Sequence, residues 1–257
     1  MGKQLLSIDT NPKTVKGQKF GFLTGVLYLA PSDLSGYQVC PMAETAKCAA
    51  ACLNSAGRGA FNSVQSARIA KTKRFHETRF AFLVDLAWSI KALVRKADRM
   101  GLVPLVRLNG TSDIRWENIP FGEHANMMAA FPDVQFYDYT KIANRRGIPE
   151  NYDLTFSYSG AADYAKFVEK ALDAGMRVAA VWRKRENIPA VYQFAGKAYE
   201  VIPGDDSDLR HLEPKGKFVA LYAKGKARKD TTGFVLDSKP ASEAKKRLFA
   251  QVKAAIN

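Results

Sequence analysis

Outside one short stretch the chain has no cysteine: in 257 residues only Cys40, Cys48 and Cys52 carry a thiol. An odd, small number of thiols excludes a disulfide framework as the source of stability. Histidine is as scarce. His76, His124 and His211 are far apart and lack the local partners of a nucleophile–histidine pair. No apolar run reaches the roughly 18 residues needed to span a bilayer, so membrane contact is not expected. The opening MGKQLLSIDTNPKTVKG lacks the apolar segment and small-residue cleavage site of a secretory signal, and a reducing, cytoplasmic setting is expected. Acidic residues are outnumbered: Asp and Glu total 25 against 39 Lys and Arg, a net charge of +14. Such an excess draws polyanions, so nucleic acid or a phosphorylated small molecule is the expected partner, with solubility as the plainer explanation. No linker, repeat or low-complexity tract divides the chain, which reads as a single domain.

The thiols that are present sit together, in VCPMAETAKCAAACLNSAGRG, with spacing C-x7-C-x3-C. AKCAAACL is rich in helix formers, so Cys48 and Cys52, four apart, are expected on one helix face. Pro41 pins a turn that would bring Cys40 back towards them. Three converging thiolates suit a soft metal. A [4Fe–4S] cluster held by Cys40, Cys48 and Cys52 would leave one iron open. Zinc with a fourth ligand is an alternative, and so is a small buried packing face or one incidental disulfide.

Strand-like runs begin with KFGFLTGVLYLA (19 to 30) and recur at 103–108, 134–138, 153–157, 177–182, 198–202 and 218–222. Helical periodicity fills 63 to 100, where Phe80, Leu83, Leu86, Ile90, Leu93 and Ala97 form an apolar face closed by Gly101, and 161 to 174. A further strand or hairpin is expected at 232–236 and a helix at 242–256. Strands alternating with helices predict an α/β fold with mostly parallel strands, a (βα) barrel or partial TIM-like barrel. In such folds ligands sit at the carboxyl ends of strands. Polar clusters follow the apolar runs, so Lys141, Asp113 and Asp138 are candidate catalytic groups. Asn109, Thr111, Ser157 and Ser159 would bind a cofactor, with Arg183 and Lys224 gripping its anionic part. A dense basic stretch, Arg68, Lys71, Lys73, Arg74 and Arg79, is either a solvated face or a phosphate site.

A strand, then a three-cysteine loop, then a helix and further βα units resembles the radical S-adenosylmethionine superfamily. That superfamily's usual motif is C-x3-C-x2-C and differs here in both intervals. The resemblance implies S-adenosylmethionine as a cofactor bound to the open iron and a radical reaction. The words YLAPSDLSGYQVCPMA, CAAACLNSAGRG, ARIAKTK, VRLNGTSDIRWE, FPDVQFYDYTK, NYDLTFSYSG, VIPGDDSDLR and AKGKA are similar to those of an uncharacterised family of bacteriophage proteins. That likeness implies a viral protein acting in the host cytoplasm. Two other functions are weighed: a nucleic-acid-binding phage accessory protein with a structural or redox cluster, and a magnesium-dependent hydrolase or nuclease using Asp113, Asp138, Asp205, Asp206 and Asp208.

Overall fold

The computed structural model describes residues 2–8 and 12–237. Nine strands form one sheet: β1 (Ser7–Ile8), β2 (Phe22–Val26), β3 (Val103–Arg107), β4 (Gln135–Thr140), β5 (Tyr152–Ser157), β6 (Val178–Trp182), β7 (Val191–Phe194), β8 (Lys197–Pro203) and β9 (Phe218–Tyr222). Their order is β1-β2-β3-β4-β5-β6-β9-β8-β7. Every pairing from β2 through β9 to β8 is parallel, while β1 on β2 and β7 on β8 are antiparallel. Among the described residues no pairing joins β1 to β7, so the mixed α/β sheet has two ends.

The seven expected strands are all present. Strands buried on both faces read as continuous apolar runs, which is why they stand out in sequence. β1 has only two residues, too few for a pattern. β7 reaches β8 through Ala195 and Gly196, both at positive φ (48° and 75°), the geometry of a tight hairpin turn. At 232–236 a single parallel bridge from Leu236 to Trp182 replaces the expected strand. The helix expected at 242–256 lies outside the described residues.

Among the described residues six helices accompany the sheet: α1 (Pro12–Gly17), α2 (Ser32–Ser35), α3 (Asn62–Glu77), α4 (Arg79–Met100), α5 (Met127–Ala130) and α6 (Ala165–Asp173). The single helix expected from 63 to 100 is two helices, broken at Thr78 (φ −134°, ψ 53°). Its hydroxyl donates back to the Arg74 carbonyl at 3.2 Å, a bond that competes with the helical ladder. α4 starts afresh after the break. Phe82, Leu83, Leu86, Ile90, Leu93 and Ala97 are buried, while Phe80, expected on that face, is 72% exposed. Gly101 ends the helix in the left-handed region (φ 64°), as expected.

One face of β2–β4 packs Leu23, Val106 and Phe136 against α4 and Phe75 of α3. α6 covers β5, β6 and β9 through Val168, Ala171, Val178 and Phe218. On the opposite face Leu105, Tyr137 and Leu209 form a small apolar cluster with Phe22, beside buried ion pairs made with the segment 204–213. Arg107 pairs with Asp208 at 2.6 Å and lies over the rings of Tyr137 and Tyr139 (5.5 and 5.1 Å). Arg177 donates to Asp153 (2.8 Å) and Thr155 (2.7 Å), and Arg210 to the Tyr139 hydroxyl (2.8 Å). With that face filled, the room for a site is at the strand ends.

Candidate functional site at the carboxyl edge of the sheet

The cysteine stretch lies across the carboxyl ends of β2 to β5, but not as a helix. Residues 41–47 are turns. Ala46 N–H donates to Met42 O (2.9 Å), and Cys48 N–H reaches back to Ala43 O (3.0 Å). Lys47 stands at φ 53°. A single turn closed by a left-handed residue overrides the alanine-rich propensity, so Cys48 and Cys52 do not share a helix face. The loop is held from outside. Ser159 Oγ donates to Ala46 O (2.7 Å), Thr232 Oγ1 to Lys47 O (2.9 Å), and Asp113 N–H to Val39 O (2.7 Å).

All three thiols are half-buried and free. The Cys40 thiol faces Thr111 O at 3.9 Å, and the Cys48 thiol faces Ala43 O at 3.6 Å. Cys52 Sγ accepts from Asn54 N–H at 3.4 Å. Burial pushes each thiol up from its ordinary range, and Asp113 and the other two thiols push Cys40 further. All three thiols lie on the one loop between Val39 and Asn54. As they lie, no three His, Cys, Asp or Glu side chains among the described residues stand close enough together to hold a metal ion.

Two cations face this neighbourhood. Lys141, just beyond β4, donates from Nζ to Ser157 Oγ (3.1 Å), Ser157 O (3.2 Å) and Tyr158 O (3.4 Å), all neutral. Burial lowers the affinity of its amine for a proton, and Cys48, Asp113 and Cys40 oppose that. Arg68 of α3 is buried beside Cys52, with Nη1 donating to Asn54 O (2.6 Å) and Oδ1 (2.9 Å) and the guanidinium 4.8 Å from the Tyr28 ring centre. Its Nε has no partner. Among the described residues neither Arg68 nor Lys141 forms a carboxylate ion pair. A buried charge is costly unless it is paired.

The other expected site residues have different employment. Asp138 is 1% exposed and accepts from Leu108 N–H (3.1 Å), Asn109 N–H (2.9 Å) and the Tyr152 hydroxyl (3.0 Å), tying β3 to β4 and β5. Burial raises its carboxyl to about 6, against the opposing pull of Arg107 and these donors. Asn109 organises its own loop, its Oδ1 taking bonds from Ser112, Ile114 N–H and Trp116. Thr111 donates to Leu29 O at 2.6 Å. Arg183 is spent on Asp237 (2.5 and 2.8 Å) and the carbonyls of Arg228 and Asp230. Lys224 is spent on Asp205 (2.7 Å). Asp113 stays near the thiols, taking Lys141 N–H at 2.7 Å, with Arg145 at 3.5 Å. Of the nine polar candidates, the structure brings Lys141, Asp113, Ser157, Ser159 and Thr111 to the cysteine loop or its supports. A groove of about 410 Å³ opens beside them, lined by Gln38, Pro41, Met42, Asp113, Arg115 and Phe167.

Much of the dense basic stretch is engaged within the fold, while Lys73 and Arg79 remain exposed. Arg68 is buried, Lys71 donates to Leu5 O (3.3 Å), Arg74 pairs with Asp85 (2.5 Å), and Arg79 lies over Phe75 (4.7 Å). Arg68 is the residue that reading by charge density misplaced. No residue adjacent to it in sequence signals that Asn54 is its partner. Arg145, which pairs with buried Glu117 through Nε at 2.9 Å, was not anticipated at all.

Fold and site together define a mixed α/β protein whose thiol-bearing loop crosses the carboxyl edge of a mostly parallel sheet. The chain belongs to the gene product 88 family, a bacteriophage protein family without an established function, whose model matches residues 4–238. No curated protein and no solved structure matches the chain. No helix among the described residues is long and apolar enough to cross a membrane.

Proposed function

We propose that Cys40, Cys48 and Cys52 hold an anionic metal centre, a [4Fe–4S] cluster with three thiolate ligands and one open iron, and that the chain is an iron–sulfur enzyme of the radical S-adenosylmethionine type. The observation that carries this reading is a pair of cations, half-buried Lys141 beside Cys40 and Cys48 and buried Arg68 beside Cys52, neither in a carboxylate ion pair among the described residues. Protonated thiols would leave Arg68 without an anionic neighbour among the described residues and Lys141 with Asp113 alone. Thiolates around a cluster would make them counter-ions. The donor set fits by type, being three sulfurs on one loop, and the loop carries turns rather than regular structure, so it can tighten around a guest. Tightening is required, because the sulfurs as they lie do not form a metal group.

The chain's own residues then have defined tasks. The cysteines give up their thiol protons on ligation. Lys141, fixed by Ser157 and Tyr158, presents positive charge, and Asp113 fixes the Lys141 backbone through its N–H. A bound cluster supplies an electron and an open coordination position. The groove beside Asp113 is the space for an organic cofactor, S-adenosylmethionine on this reading. Asn109, Arg183 and Lys224 are already engaged and are not assigned to it. We also infer that the sheet is an incomplete (βα) barrel. Strands β2 to β6 follow one another in chain order, without the reversal of a doubly wound sheet. The centre suits the reducing cytoplasm of the host. The magnesium reading is set aside, since Asp205 and Asp208 are committed to Lys224 and Arg107.

The test is anaerobic purification with iron and sulfide assay, visible absorption, and electron paramagnetic resonance of the reduced protein with and without S-adenosylmethionine. A brown protein with about four irons per chain is expected. Cys48→Ser should lose the signal while keeping the fold. A colourless, iron-free wild type would overturn the reading, and stoichiometric zinc in its place would make the site structural.

A further inference from the structure

We infer that the loops after β6 and β9 form a phosphate-binding rim for single-stranded nucleic acid, set beside the thiol loop and present whether or not a cluster is bound. The rim is built by two loops. Lys226, Arg228 and Lys229 lie in the tight turn Gly225–Lys229 and are exposed, and Lys184 and Arg185 are exposed just after β6. The loops are locked together: Arg183 donates to Arg228 O (2.8 Å) and Asp230 O (2.7 Å), and Ala223 N–H to Trp182 O (2.8 Å). Exposed Arg58 belongs to the same edge, because Gly225 stands against Ala56, its Cα carrying space for a Cβ only 3.6 Å from the Ala56 Cβ.

Local acids do not cancel these charges. Asp237 and Asp205 are taken by Arg183 and Lys224, and Asp230 is buried, accepting from Thr232 and Val235. Among the described residues the rim cation ion pair is that of Lys184 with exposed Glu186, at 3.9 Å. Arg185 lies 5.2 Å over the Tyr222 ring, which also carries Lys224 at 4.6 Å, so the rim is stiffened from below. A net charge of +14 gives such a rim long-range attraction for a polyanion.

Apolar groups decide between nucleic acids. Phe61 is 62% and Leu53 57% exposed, and Phe61 N–H bonds Arg58 O at 3.2 Å, so an uncovered ring is carried on the same turn as a rim cation. A duplex hides its base faces, whereas unpaired bases stack on such a ring. Phosphates on the rim with a base on Phe61 is the arrangement the surface fits.

The experiment is fluorescence anisotropy with a labelled single-stranded oligonucleotide of about 15 nucleotides, and its duplex, across a salt series. Wild type should bind the single strand in preference, with affinity falling steeply as salt rises. Lys226→Ala/Arg228→Ala/Lys229→Ala should lower the log–log salt slope by about 2, and Phe61→Ala should weaken binding at least about fivefold. A control, Lys91→Ala/Arg95→Ala/Arg99→Ala on the outer side of α4, removes the same charge elsewhere. Circular dichroism melting checks that every variant folds. Undiminished binding by the rim variant, or an equal loss in the control, overturns the inference, and equal affinity for duplex with no effect of Phe61→Ala overturns its single-strand form. Iron content is measured on the same samples. Rim-dependent binding by iron-free protein would sink the cluster alone, and cluster-loaded protein without salt-dependent binding would sink the rim alone.

Discussion

Residues 68–79 hold five Lys and Arg in twelve positions and 224–229 four in six, and the fold uses the two stretches differently. In the first stretch Arg68 is buried against Asn54, Lys71 caps a carbonyl of the N-terminal segment, and Arg74 and Arg79 lie on Asp85 and Phe75. In the second, Lys226 and Lys229 are exposed, Arg228 is exposed with its Nε donating to Ala223 O (3.3 Å), and Lys224 pairs with Asp205. The difference comes from the elements that carry them. α3 is wrapped by the N-terminal segment, the cysteine loop and α4, so its cations meet backbone oxygens. The turn Gly225–Lys229 leaves Lys226, Arg228 and Lys229 exposed among the described residues. Charge density in a sequence therefore locates cations but does not say which are free.

The comparison can be broken most sharply at Arg68. Arg68→Ala strands a buried Asn54 carbonyl, and we expect a loss on the order of 3 kcal/mol, read from urea unfolding. A loss under about 0.5 kcal/mol would mean that Arg68 is no more committed than a rim residue. A second test uses Asp138, the buried carboxyl raised to about 6. A raised folded value favours the protonated form, so its contribution is fully present below the unfolded carboxylate range and is lost as pH rises through about 6. Between pH 4 and pH 7 the wild type should lose on the order of 2 to 3 kcal/mol that Asp138→Asn does not lose. Parallel curves for the two proteins would refute the buried titration.

Lys71 carries the opposite sign. Burial, aided by Arg68, lowers its amine to about 8, so the folded state favours the neutral form. Its contribution is present above the ordinary lysine range and is lost as pH falls through about 8. Stability of the wild type relative to Lys71→Met should rise by on the order of 2 kcal/mol between pH 7.5 and 10.5, measured by thermal melts. The smallest effect belongs to the rim: Lys229→Ala should change stability by less than about 0.5 kcal/mol at any of these pH values. A larger change would show an anchored residue there.

How far the sequence could be read follows the range of the interactions involved. Parallel strands declare themselves because both faces are apolar, and their carboxyl-end loops were located with them. Partnerships across the fold left no local mark. Nothing near Arg183 points to Asp237, nor near Lys224 to Asp205, so both looked like free anion-binding groups. The alanine-rich run before Cys52 looked helical because its propensity is local, whereas the bonds that keep it a turn come from Ser159 and Thr232. The β7–β8 hairpin escaped notice because Ala195 occupies a left-handed position normally signalled by Asn, Asp or Gly.

Those two anchors also set a timetable. Ala46 is secured by a residue 113 positions later and Lys47 by one 185 positions later. During synthesis the thiols emerge early and wait, unenclosed, until most of the chain has been made, so their pocket is completed among the last steps of folding. Any guest that the thiols take up is therefore received by a nearly finished protein, or must be carried through folding as a tether between its first quarter and its last.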